Sequence, residues 1–400
     1  MNKLKRIELG YGILGALMVF LLIWLFSSSN ADAAQAWETD PNSHSKPTRQ
    51  KTWRVACNRG MKLSRALSQA RPGDLVRFSG RCMESIVIKH DWITLIGDQN
   101  AVIDGGDRAS EAVVLVEGTR HVRLKNFAVQ NGRDQGVLIR RSSHAKFSSL
   151  VMRNNATVGL AVDRSKLDMV NLAMERNGLG GMDAFANSTV VVEGENRATG
   201  NGGDGVAING KSYIELRGAK LIATENRGSG LSVINDSRFQ VLSFPEAQGS
   251  SVTANGNGFA GISILGSELS VVGSTFFGSG ANVFTASNNL FGFFMPLGSI
   301  VSPHATAKFV AENNAVGMLM EDGARALIVG GLNLNANDIG VSADGAGTLN
   351  LVSVPPNPSS IRSNQLDLSL NFGSRVTIAG FDVNAVVCDN TVIVRGATCP

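Results

Sequence analysis

One element recurs through most of this chain and restricts what it can fold into: a glycine followed by an alternating apolar triplet. It begins at Gly136, Gly159, Gly181, Gly205, Gly230, Gly261, Gly292, Gly317 and Gly340, in forms such as Gly-Val-Leu-Ile, Gly-Leu-Ala-Val and Gly-Ile-Ser-Ile. Successive spacings are 23, 22, 24, 25, 31, 31, 25 and 23 residues. Ala112-Val-Val-Leu fits one repeat earlier and Leu366-Asp-Leu one later. Asparagine stands four residues before the glycine in seven consecutive repeats, at Asn155, Asn177, Asn201, Asn226, Asn257, Asn288 and Asn313. Self-similarity at such a period marks a solenoid. Coils stacked in register bring the amides into a ladder about 4.8 Å apart. The glycine is expected to supply a positive φ at the corner.

The period, with several short strands per turn, predicts an all-β fold: a right-handed parallel β-helix of about ten coils, roughly 50 Å long at about 4.8 Å per coil. Leucine-rich repeats have a similar length, but their L-x-x-L-x-L skeleton is missing, and a propeller blade needs about 40 residues. The two 31-residue spacings carry insertions that belong in loops between coils. Composition agrees. Gly is 45 of 400 without a three-residue period, Pro only 10, and 43% of residues are hydrophobic, which excludes collagen and disorder. The net charge of +4 includes Lys3, Lys5 and Arg6 at the extreme N-terminus, and no basic run follows, so nucleic acid is not an expected partner.

Residues 9–26 carry no charge and follow Lys3-Leu4-Lys5-Arg6, while Ala31-Asp32-Ala33 offers an A-x-A cleavage pattern. Residues 1–33 therefore read as a signal peptide or a membrane anchor, residues 34–52 as a polar linker, and residues 53–400 as one β-helix domain. Both readings of the first segment place the domain in the periplasm or outside the cell, with the membrane touched only through residues 9–26. The four cysteines agree with export. Without a C-x-x-C, one staple per end is the expected pairing, Cys57–Cys82 and Cys388–Cys399, with free buried thiols the alternative.

Residues 62–105 run through an apolar-faced helix (Met61–Ala70), a Pro72-Gly73-Asp74 turn, a Gly80-x-Cys82-x-Glu84 corner, and Ile-Thr-Leu-Ile-Gly and Val-Ile-Asp-Gly strands. This opening resembles the start of the pectin-lyase-like right-handed parallel β-helix proteins. The ending, residues 386–400, resembles the disulfide-latched last coil of bacterial β-helix repeat proteins. The resemblance covers about residues 55–400 and implies a helical N-terminal cap. It leaves activity open, because lyases, hydrolases, epimerases and non-catalytic adhesins share this fold.

In each triplet strand the outward positions are Gly+2, Gly+4 and Gly−1. Polar side chains there gather at Arg140, Asp163, Asp183 and Asp204, on four consecutive coils of one face. Carboxylates on adjacent coils suit an acid and a base or nucleophile acting on a glycosidic bond. They also suit a Ca²⁺ ion, with Arg140 neutralising a substrate carboxylate. The resemblance to β-helix pectate lyases implies acids for calcium and a basic residue that removes a proton. The same residues are also compatible with solvated strand-face side chains, Arg140 pairing with Asp163.

Motifs of specific enzymes are absent. Gly203-Asp204-Gly205 lacks the second acid of the polygalacturonase Gly-Asp-Asp segment, Gly258-Phe259-Ala260-Gly261 lacks its histidine, and the Asp-Pro-His-Asp of alginate epimerases does not occur. Gly256-Asn257-Gly258-Phe259-Ala260-Gly261 matches G-x-G-x-x-G only because two of its residues belong to the repeat. After residue 100 there is one Tyr (Tyr213) and no Trp, while Phe276, Phe277, Phe284, Phe291, Phe293 and Phe294 concentrate together. Two functions follow: an exported protein that binds or processes an acidic polysaccharide through the polar face, or a non-catalytic adhesin or envelope scaffold. The second would use an apolar strip at Ile234, Leu265, Phe294 and Leu319.

Overall fold

The computed structural model describes residues 50–106, 111–243, 249–273, 282–303, 307–353, 360–362, 364–379, 382–383, 385–389 and 391–396. Residues 9–26, Ala31–Ala33, most of the linker, Phe276, Phe277 and Cys399 lie outside them. Among the described residues no helix is long and apolar enough to cross a membrane.

Strands run from Thr52–Ala56 to Ile393–Arg395 and wind into a parallel β-helix. One sheet of 25 strands supplies two faces of each coil, and a sheet of 13 strands supplies the third. The glycine triplets form this third face. Their register is residue to residue: Leu138, Ala161, Asp183, Ala207, Ser232, Ser263, Phe294, Leu319, Ser342 and Ser369 pair in sequence as one outer row. The alternate residues point inward and are buried, for example Val137 and Ile139, Leu160 and Val162, and Leu231 and Val233. Thirteen strands make about twelve turns rather than ten. The undercount has a simple cause: strands Ile86–Ile88 and Val386–Cys388 belong to the same face but carry no glycine triplet.

The asparagine ladder is present and longer than expected. Each side-chain NH₂ donates to the Oδ1 of the next coil, through Asn155, Asn177, Asn201, Asn226, Asn257, Asn289, Asn314, Asn337 and Asn364, at 2.9–3.3 Å. The same Oδ1 also accepts the backbone N–H of the preceding asparagine, as Asn226 does from Asn201 at 3.1 Å. The second NH₂ proton goes to a carbonyl of the previous coil, such as Ala198. No ladder amide from Asn177 to Asn337 is left wanting a partner, which is what permits a row of buried amides. Asn288 and Asn313 are corrections: both are exposed, with φ of 57°, and their neighbours Asn289 and Asn314 take the ladder place. From that coil onward one residue fewer separates ladder and strand.

The repeat glycines also serve a different end from the one expected. None of them has a positive φ. A Cβ on Gly205 would lie 2.7 Å from both Asn226 Nδ2 and the Gly230 carbonyl oxygen, and one on Gly181 2.4 Å from the Gly205 carbonyl oxygen. Glycine is needed because successive coils and the ladder leave no room for a side chain.

A second ladder at the other end of these strands escaped the sequence reading. Ser143, Ser165, Ser188, Ser212, Ser237 and Ser267 each accept, on Oγ, the backbone N–H of the preceding coil's corner. Its signal is a serine six or seven residues after each repeat glycine from Gly136 to Gly292.

The helix Leu63–Gln69 is shorter than Met61–Ala70 and buries Leu63, Ala66 and Leu67 against the first coil. Glu84 holds its start, accepting from the N–H groups of Leu63 at 2.7 Å and Ser64 at 3.1 Å. Carboxylates are favourable at a helix N-terminus. Cys57 and Cys82 are bridged with Cα atoms 5.0 Å apart, and Cys388 is disulfide-bonded.

Asn226→Ala would orphan the Asn201 donors and the Ala198 carbonyl and is expected to cost about 3 kcal/mol or more. Asn288→Gly, at an exposed left-handed position, is expected to stay within about 0.5 kcal/mol of the parent. Urea unfolding of the two variants checks the contrast.

Candidate functional site

The triplet face presents two polar clusters where the sequence suggested one. Arg140 turns away from the acids. Its guanidinium bonds Glu117, at 2.9 Å, and Glu111. Asp163 is held by its neighbour Arg164 through two hydrogen bonds of 3.0 Å. The Arg140–Asp163 pairing is therefore replaced, because nearer partners outcompete it: Glu117 lies directly beside Arg140 in the strand register.

Asp183 and Asp204 remain together. Asp183 sits in the outer row of strand Met182–Phe185, beside Ala161 and Ala207. Asp204 precedes strand Val206–Ile208 on the next coil. Its Oδ1 accepts the Ser229 backbone N–H at 2.7 Å, and the Ser232 hydroxyl donates to it as well. Glycine makes room for this arrangement. A Cβ on Gly228 would fall 2.2 Å from Asp204 Oδ1.

The electrostatics distinguish the two acids. Asp183 is half-buried, and its Oδ1 is enclosed without a hydrogen-bond partner among the described residues. Burial, followed by the nearby charge of Asp204, pushes its pKa up to about 6. Burial also raises Asp204, but the Ser229 and Ser232 hydrogen bonds oppose the rise. Both acids are thus raised, Asp183 without any hydrogen bond to offset its burial and Asp204 with two that do. Environments that push two carboxyls apart in this way define acid and base roles.

Beside the pair, Ala112, Leu138 and Ala161 form a small buried apolar cluster on the outer side of the triplet strands, with Leu115 and Phe185 packed against it. A calcium ion does not fit the acid pair. It would need six to eight hard oxygens, and with Asp163 tied to Arg164 no third carboxylate joins Asp183 and Asp204 among the described residues.

The four residues of the apolar strip lie in the register their spacing from the glycines predicts. Ile234 pairs with Leu265, and Phe294 with Leu319, but Phe294 stands beside Ser263, so the four residues occupy two neighbouring rows rather than one strip. Phe294 instead joins Phe259 and Phe291, with ring centroids 5.1–5.4 Å apart. Phe284 and Phe293 are core residues, Phe284 stacked on Phe309 at 4.9 Å.

The family model described as "Right handed beta helix region" matches residues 112–277. No curated protein matches the sequence. Among solved structures, the chain is similar to pectate lyase Pel9A (15% identity, 68% of this chain and 79% of that one, TM-score 0.43). It is also similar to the A-module of the Azotobacter vinelandii mannuronan C-5 epimerase AlgE6 (14% identity, 84% and 94%, TM-score 0.45). A third is the polygalacturonase from Erwinia carotovora ssp. carotovora (10% identity, 90% and 99%, TM-score 0.39). At these identities the likeness says nothing of chemistry.

The sign of the pH effect follows from Asp183. Its folded pKa of about 6 lies above the ordinary value of 3.8, so the folded state holds a proton that the unfolded chain has released between these two limits. Stability falls as pH rises through that window, by on the order of 2–3 kcal/mol in all. Asp183→Asn is expected to flatten this fall and to be more stable than the parent at pH 7 but not at pH 4, as read by urea unfolding at both values.

Proposed function

We propose that this chain, a right-handed parallel β-helix protein of the pectin-lyase-like fold, is exported and binds and processes an acidic polysaccharide on the outer face of its triplet strands. The observation that carries the reading is the half-buried Asp183, with a carboxylate oxygen that has no hydrogen-bond partner among the described residues and a raised pKa, beside Asp204 on the next coil. A buried polar atom without a partner is costly in a structural role. It is useful where a ligand supplies the partner.

The chemistry that fits best is acid–base cleavage of a glycosidic bond. Asp183, protonated, gives its proton to the departing oxygen. Asp204 takes the partner role from the adjacent coil, acting on the incoming water or on the sugar cation that forms. Ser229 and Ser232 keep Asp204 oriented. Proton abstraction by Arg140 loses support, since two glutamates engage its guanidinium. Basic side chains at both ends of these strands, Arg164, Arg176, Lys211 and Arg227, are exposed and suit an acidic polymer over a neutral one. The Cys57–Cys82 bridge is in keeping with an oxidising compartment.

A second reading, a non-catalytic adhesin or envelope scaffold, is favoured by one feature. Phe259, Phe291 and Phe294 form an aromatic group on the same face, beside exposed Leu290. Contiguous apolar surface of this kind marks contact sites.

A turnover assay on polyuronates and neutral glycans, scoring reducing and unsaturated ends, separates the two. Asp183→Asn and Asp204→Asn are each expected to lower kcat by 10²-fold or more, and the parent's rate is expected to decline as pH rises past about 6. No cleavage or binding of any glycan by folded protein would leave the scaffold reading standing.

A further inference from the structure

We infer that Trp92, His121, His144 and Asp168 form an acid-sensitive clasp on the N-terminal coils, in which a proton on His121 drives its ring from Trp92 and loosens the corner they share. The clasp lies on the 25-stranded sheet and not on the triplet strands, so it stands apart from the glycan reading.

Trp92 and His121 each lie two residues ahead of Thr94 and Arg123, which pair in register, and His144 directly precedes Ala145, which pairs with Val122. The three rings therefore fall on three successive coils. The indole and the His121 imidazole are stacked, with centroids 3.8 Å apart and planes 18° from parallel. His144 meets His121 from the following coil at a centroid distance of 5.4 Å. Its Nε2 is 3.7 Å from Asp168 Oδ2, one coil further on. Trp92 and His121 both carry a positive φ, 61° and 58°. A bulky residue rarely adopts that conformation and keeps it only where its surroundings hold it. For Trp92 the holding contacts are the stacked imidazole and the hydrogen bond its N–H donates to the Arg120 carbonyl at 2.8 Å.

Charge is distributed unevenly along this row. A proton on His144 has Asp168 to answer it. Burial opposes ionisation of Asp168, but the hydrogen bond and charge of His144, with Lys166 and Lys146 nearby, hold its pKa below the usual carboxylate value. His121 has no carboxylate within ion-pair distance among the described residues. Asp91 of the preceding coil faces it, but its Oδ1 accepts the Arg120 backbone N–H at 2.8 Å. The other groups facing it are His144 from the following coil and Arg120 and Arg123 from its own. Burial first and His144 second push the His121 pKa below the ordinary 6.5; Asp91 opposes them, and Arg120 and Arg123 add to them. An imidazolium over an indole is itself attractive. Desolvation and three neighbouring positive groups outweigh that one ring face.

The sign follows. The folded protein takes up a proton on His121 less readily than the unfolded chain does. The stack contributes in full above 6.5, and its contribution is lost as pH falls from there through the lowered value. Histidine is the side chain that changes charge in this range. Once charged, His121 leaves the stack, and Trp92 loses a contact that holds its left-handed backbone.

The test follows the full-length protein, ¹³C-labelled at histidine, from about pH 8 to about pH 5. The His121 signal is assigned by its loss in His121→Asn, and asparagine tolerates the left-handed turn. The His121 midpoint is expected below 6.5 in the parent and higher in His144→Gln, which removes a neighbouring charge. Trp92 emission, taken as the difference between the parent and Trp92→Phe, should change with the same midpoint. Amide exchange at residues 91–93 and 120–122, corrected for the intrinsic effect of pH, should quicken by about ten-fold on acidification in the parent and not in His121→Asn. A midpoint at or above 6.5, or one unmoved in His144→Gln, would overturn the clasp. So would corner exchange that follows pH equally in the parent and His121→Asn.

Discussion

The fold depends on buried amides that satisfy one another. An isolated asparagine in the interior would leave two donors and an acceptor unpaired, at several kcal/mol. Stacked at the coil spacing, each side-chain oxygen accepts from the coil before it and each NH₂ donates to the coil after it, so the cost disappears only when neighbours are in register. This makes the ladder a device for specifying register as much as for stability. A slip of one residue in a strand would expose the apolar row and break the amide chain together. The serine ladder at the opposite corner repeats the principle with a hydroxyl.

That register is what creates the candidate site. With the inner row committed to the core, the outer row is fixed as well, and Asp183 is placed in it between two alanines. Small neighbours leave the carboxylate without protein donors, and Gly228 removes a side chain that would otherwise displace Asp204. The raised pKa of Asp183 is thus a consequence of burial among groups that offer its carboxylate no donor, with the charge of a second acid adding to it. Asp204 differs because Ser229 and Ser232 come within reach on the following coil.

Much of the architecture was legible in the sequence because a solenoid repeats its constraints. Gly, an apolar triplet and Asn recur often enough to declare the period, the face and the outer row, and Asp183 and Asp204 were placed on neighbouring coils by counting alone. What failed was local. Asn288 and Asn313 were one residue off because counting cannot see where a corner shortens. The glycine was credited with an unusual φ when close approach of the next coil explains it. Arg140 was assigned to the acids on its face because its strand neighbour Glu117 belongs to a repeat without the glycine marker.

The central claim is that Asp183 is a functional acid and not an incidental strand-face carboxylate. Its titration tests this most directly, followed through the side-chain carboxyl ¹³C signal of aspartate-labelled protein and assigned by its loss in Asp183→Asn. The account predicts a midpoint near 6 that moves when polygalacturonate is added. A midpoint near 4, unmoved by polyuronate, would contradict it.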